Sequence, residues 1–202
     1  MALRQLLPLA GLSVRDPRAG MRGVLDLGLP VQHYWTAFLA VITLAAILVQ
    51  GFFLLAPLPE TVTAPDGTEA PLVLPNGLQT AAFVGGGLLL AAAVIHGLSR
   101  AAGGTGRFAE QTLALTWLQA IQIGLGLVAL PVLVLLPGLA PLLEVAVFAL
   151  VLWMLAGFTA VVQDFPSVGK VVVALVVGFF GLVLILSILL TALGLAAGGA
   201  VS

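Results

Sequence analysis

The sequence predicts an all-α integral membrane protein: a five-transmembrane-helix bundle with a short N-terminal interfacial helix. Three observations predict it. The residues are 61% hydrophobic and only 7% charged, with a mean hydropathy of +1.25, whereas a soluble domain carries about a quarter charged residues. Long apolar stretches recur along the chain, each near or above the roughly 20 residues a helix needs to cross a ~30 Å hydrocarbon core. All 7 Lys and Arg residues lie in alternate segments between those stretches. Cysteine is absent, which excludes disulfides, thiolate metal sites and thiol nucleophiles. The net charge of -1 says little, because in a membrane protein the placement of charge matters more than its sum.

Residues 1–32 form the N-terminal segment and contain Arg4, Arg15, Arg18 and Arg22. The apolar run Leu3–Leu12 is short, is broken by Pro8 and lacks a small-x-small cleavage site, so a cytoplasmic N-terminus is expected rather than a signal peptide. Asp16-Pro17 reads as a helix start, a capping acid followed by proline at the first helical position. In the helix that follows, Arg18, Arg22 and Asp26 stack at i+4 spacing while Met21, Val24 and Leu25 share another face. That pattern suits a helix lying in the membrane interface. An irregular tether, favoured by Gly20, Gly23 and Gly28, is the competing reading.

The transmembrane domain occupies residues 33–196. The first span, 34–55, opens on His33, Tyr34 and Trp35, in the place of an interfacial aromatic belt, and is closed by Pro57 and Pro59. Residues 58–79 hold Glu60, Asp66 and Glu69 without any Lys or Arg, and Pro65-Asp66-Gly67 is a turn signal at the tip of a small hairpin. The second span is 80–98, followed by the connector Gly103-Gly104-Thr105-Gly106-Arg107-Phe108. The third and fourth spans, 113–136 and 142–162, are separated only by Pro137–Pro141 and form a transmembrane hairpin. The polar tail Gln163–Lys170 leads into a fifth span, 171–195.

Orientation follows from the bases. The N-terminal arginines, Arg100, Arg107 and Lys170 all fall on the side shared by the N-terminus, and the other loops have none. The positive-inside rule places the N-terminus in the cytoplasm and the C-terminus outside.

Few residues suggest chemistry. His33 and His96 both fall at the cytoplasmic ends of their spans, with Asp26 and Glu110 as the further ligands a metal would require. Histidines that favour wet interfacial surroundings explain the pair without a metal. Gly103–Gly106 follows a membrane helix and fits no nucleotide fingerprint, and Gly169-Lys170 lacks the upstream glycine of a phosphate loop. Only Glu144 comes close to being an intramembrane charge, whereas proton relays and ion pathways use buried ionisable groups. Thr112, Thr116, Gln119, Gln122 and Gly126 trace one face of the third span. Interhelical hydrogen bonding is the first expected use of that face and a wet substrate cavity the second. Ala174, Gly178 and Gly181 on the fifth span, with Ala156 and Ala160 on the fourth, make small-residue faces suited to close helix contacts within the bundle or across a homodimer.

The chain resembles a compact, bacterial-type member of the Yip family, the Ypt/Rab-interacting five-span membrane proteins. The resemblance runs over roughly residues 13–195. It rests on Asp16-Pro17-Arg18, the Gly103–Phe108 connector, and Trp153 followed by Ser167-Val168-Gly169-Lys170. It implies a multi-pass protein of the bacterial inner membrane without catalytic, cofactor or metal residues. Its expected role is to organise membrane proteins or lipids, with Arg18, Arg22, Arg100, Arg107 and Lys170 as a cytoplasmic interface. The expected partners are the lipid bilayer, other membrane proteins or a second copy. Nucleic acid is not among them. Nor is a GTPase, since the long acidic cytosolic region of eukaryotic members is not seen in this sequence. A small-solute or lipid transporter using the polar face of the third span is the alternative.

Overall fold

The computed structural model describes residues 3–55, 61–63, 69–72, 74–174, 176–177, 184 and 187–188. In these residues the chain forms α1 (Leu3–Arg15), α2 (Pro17–Leu25), α3 (Val31–Leu55), β1 (Thr61–Thr63), β2 (Glu69–Pro71), α4 (Gly77–Ala101), α5 (Phe108–Leu135) and α6 (Ala140–Val162). A single 3₁₀ turn, Pro137–Leu139, joins α5 to α6. Four stretches are long and apolar enough to cross a membrane: Val31–Leu55, Gly77–Ala101, Phe108–Leu133 and Ala140–Val162. They coincide with the first four expected spans. The fifth, 171–195, lies mostly outside the described residues, although helical backbone resumes at Val168 and is described to 174.

α5 begins earlier than its apolar content suggests, at Phe108 rather than Leu113. The carboxylate of Glu110 accepts the Arg107 backbone N–H at 3.1 Å, so an acid in the connector caps the helix one turn before the hydrophobic run. At the start of α4, Asn76 and Gln79 exchange side chain-to-backbone bonds of 2.9 Å each, a reciprocal capping box. Between α3 and α4, β1 and β2 pair antiparallel with Val62 opposite Ala70. That register is the one a hairpin closed around position 66 requires; the expected turn residues Pro65-Asp66-Gly67 lie outside the described residues.

The N-terminal segment is more ordered than either sequence reading allowed. Asp16 Oδ1 accepts the Ala19 N–H at 3.0 Å and Pro17 occupies the first turn, so α2 forms as a capped helix rather than an irregular tether. Leu3–Leu12 is helical too, as part of α1, with Pro8 inside it. The apolar face of α2 meets protein instead of lipid: Met21 is 0% and Val24 5% exposed, both in the main core. Small residues make this possible. A Cβ built at Gly157 of α6 would lie 2.5 Å from the Pro17 Cβ, and one at Gly20 would collide with Ser13 of α1. Backbones approach closely only where no side chain stands between them.

α3, α4 and α5 pack against one another, α6 packs on α5, and the α1–α2 pair docks on α6. The shared core joins Met21 and Val24 to Tyr34 of α3, Ala92 and Ile95 of α4, Leu113–Leu115, Leu118 and Ile121 of α5, and Met154, Phe158 and Val162 of α6. These positions gather toward the end of the bundle that carries the basic residues. Toward the other end a cleft lies between α5 and α6, which the turn Pro137–Leu139 joins there. The cleft, of about 380 Å³, is lined mainly by apolar side chains, with Gln122, Gly126 and Glu144 on its walls. Leu39, Ile47, Phe83, Leu90, Val128, Leu142 and Phe148 are exposed on the outer faces, the composition a lipid-facing surface has.

Candidate functional site

The densest polar construction is the corner where α6 ends. The last turn of α6 closes with the Phe165 N–H on the Ala160 carbonyl at 2.8 Å, with Asp164 in a left-handed conformation (φ 58°). This is the αL termination of a helix, made here by an Asp where glycine is usual. The connector between α4 and α5 lies against that corner. The Thr105 N–H donates to the Gln163 carbonyl at 3.1 Å, and the Gly104 N–H donates to the Ser99 carbonyl at 2.8 Å. A Cβ at Gly106 would run into the Val162 carbonyl. Gly106 is therefore glycine because backbone meets backbone there.

Beneath the corner three buried side chains and one partly buried one form a chain of bonds. The Gln163 amide nitrogen donates to Gln111 Oε1 at 3.2 Å and lies 3.3 Å from His96 Nδ1, and the Gln111 amide nitrogen donates to the Thr159 hydroxyl at 3.4 Å. Gln111, Thr159 and Gln163 are 0%, 0% and 1% exposed. The His96 ring also stands edge-on to Phe108, with centroids 5.9 Å apart. Bringing a buried amide to a partner avoids a desolvation penalty of a few kcal/mol. One lone pair escapes: Gln163 Oε1 is buried and unpartnered, as is Arg18 Nε.

Two arginines bond backbone carbonyls here, one at the corner and one in the connector. Arg18 Nη2 donates to the Phe165 carbonyl at 3.3 Å, and Arg100 Nη1 donates to the Gly104 carbonyl at 3.2 Å. Arg22, Arg107 and Lys170 are exposed at the same end. His96 is engaged by Gln163 and Phe108, while His33, exposed at the start of α3, takes no part.

The polar face read from the third span is placed as follows. Thr112 and Thr116 are buried, and their hydroxyls return to their own helix, to the Phe108 carbonyl at 3.0 Å and the Thr112 carbonyl at 2.8 Å. Gln119 and Gln122 are half-buried and carry no side-chain hydrogen bond among the described residues; Gln122 and Gly126 line the α5–α6 cleft. Interhelical amide bonding falls instead on Gln111, about two turns before Gln119. The partners lie on the neighbour: Thr159 in the last turn of α6 and Gln163 at its cap stand at the height of Gln111. None of these three is singled out by sequence analysis. The 48- and 52-residue separations that join them leave no local signal. Of the small-residue face on the fifth span, Ala174 is half-buried, and Gly178 and Gly181 lie outside the described residues. Val171 packs on Ala156 and Ala160 of α6.

A family model described as Yip1 domain matches residues 11–189. No curated protein and no solved structure matches the chain. The matched range takes in α2, the connector and the α6 corner, the three parts that meet at the site.

Proposed function

The chain belongs to the Yip1 domain family, and from that premise we propose that it acts without catalysis, as an organiser of membrane proteins or lipids. With four apolar helices of spanning length it is a multi-pass membrane protein. One observation supports the organiser reading. The amides and hydroxyl buried at the basic end are engaged with one another, and the same corner docks the N-terminal helices, so these polar side chains serve assembly. In this reading the basic end faces the cytoplasm of a bacterial inner membrane, and the partners are other membrane proteins, lipids or a second copy. No cofactor, nucleic acid or GTPase is part of the proposal. Photo-crosslinking from exposed apolar positions such as Phe83 and Phe148 in native membranes tests it. Discrete protein or self adducts from one face are expected; uniform labelling by bulk lipid from every face would remove the scaffold reading.

A second reading has the α5–α6 cleft behind it. A cleft of about 380 Å³ with Gln122 and Glu144 on apolar walls has the make-up of a small-solute or lipid path. It requires flux that falls on Gln122→Leu or Glu144→Gln while stability is kept.

A further inference from the structure

We propose that the basic end of the bundle is a binding surface for the headgroups of anionic phospholipids. Charge is divided sharply along the chain. All 7 bases lie on the side of the N-terminus, with Asp16, Asp26, Glu110 and Asp164, whereas Glu60, Asp66, Glu69 and Glu144 lie toward the other side with no base among them. Two of the acids at the basic end are committed to helix starts, Asp16 to the Ala19 N–H and Glu110 to the Arg107 N–H. Among the described residues Arg15, Arg18, Arg22, Arg100, Arg107 and Lys170 form no ion pair. Set against the four acids on this side, the 7 bases leave a net charge of +3 (7 − 4), and these six come from α1, α2, α4, the connector and the segment after α6.

The surface is also built rather than merely charged. Arg18 and Arg100 each fix one guanidinium nitrogen on a backbone carbonyl, Arg18 on Phe165 after α6 and Arg100 on Gly104 of the connector. Each keeps further N–H groups. A guanidinium held in this way loses little freedom on meeting a phosphate, which it recognises with two parallel donors. α1 turns Leu7 (66% exposed) and Leu12 (40% exposed) outward on either side of the exposed Arg15. Exposed leucines flanking an arginine on one helix fit the boundary between acyl chains and headgroups, and those leucines distinguish a lipid leaflet from a soluble phosphate. The inference stands apart from the organiser reading, since it applies to a scaffold and to a transporter alike.

The test uses the full chain in a neutral detergent, titrated separately with phosphatidylglycerol, phosphatidylcholine and inorganic phosphate. Lipid retained in native mass spectrometry and the thermal midpoint are read together. Phosphatidylglycerol should be retained and raise the midpoint, with neither effect from phosphatidylcholine or phosphate. Arg15→Gln with Arg22→Gln, two exposed positions without side-chain bonds, should weaken retention roughly 30-fold, from about 1 kcal/mol for each charge near the surface. The Lys pair at the same positions should restore it. Equal retention of both lipids, a midpoint shift reproduced by phosphate or by a soluble polyglutamate peptide, or unchanged affinity in the Gln pair would each overturn the proposal.

Discussion

Pro17 of α2 sits directly on Gly157 of α6: a Cβ at position 157 would stand 2.5 Å from the proline Cβ and 3.6 Å from the Arg18 nitrogen. Since Arg18 reaches the Phe165 carbonyl from this seat, one glycine on a membrane helix positions the Asp16-Pro17-Arg18 motif. Gly157→Ala should lift α2 from α6 and lower stability by about 1–3 kcal/mol, as overpacking does. Gly126→Ala, where nothing lies within 4 Å, is the control and should melt like the parent. Thermal unfolding in detergent distinguishes them, and equal midpoints would mean the seat is not tight.

The Gln111–Gln163 pair should behave as one unit. Gln111→Leu or Gln163→Leu alone strands a buried amide and should cost about 1–2 kcal/mol. The double Leu variant should cost less than the sum, because each single change already breaks the 3.2 Å bond. Gln119→Leu, without a hydrogen bond to lose, should stay within about 0.5 kcal/mol of the parent. A larger loss at Gln119 than at Gln111 would reverse the assignment of interhelical bonding.

Trp117 donates its indole N–H to the Ser13 hydroxyl at 3.0 Å, and that hydroxyl donates to the Leu9 carbonyl at 2.8 Å. Ser13→Ala should leave the indole unpaired and loosen α1 from the bundle, by about 1 kcal/mol. The expected readout is faster tryptic cleavage at Arg15 with little change in total helix content. Cleavage at the parent rate would show that the bond does not hold α1 in place.

Orientation is testable with single cysteines, since the chain has none of its own. Thr61 and Thr105 are both exposed, one in the hairpin and one in the connector. In intact cells a membrane-impermeant maleimide should label Thr61→Cys and reach Thr105→Cys only after permeabilisation. A reporter fused after Ser202 should be active outside. Labelling of Thr105→Cys in intact cells would invert the topology.

Composition and period were enough to read the class, the first four spans, the hairpin between α3 and α4, and the start of α2 at Asp16-Pro17. Each of these depends on interactions within one helix or turn, or on contact with a uniform apolar solvent, so a local stretch contains the whole cause. The gathering of all bases on one side was legible for the same reason. What α2 packs against was not. The spacing of Met21, Val24 and Leu25 says that an apolar face must be covered, and lipid and protein satisfy it equally.

Only the tertiary structure decided that protein covers it, because the small residues that permit contact, Gly20 and Gly157, lie on different helices. The same holds for the polar core. Thr112, Thr116, Gln119 and Gln122 share a face by their period, yet a hydrogen bond also needs a partner at the right height on the neighbouring helix. The partners actually engaged, Thr159 and Gln163, stand at the height of Gln111 and not of Gln119. Helix periodicity fixes the direction in which a side chain points, and the packing of two helices fixes what it meets.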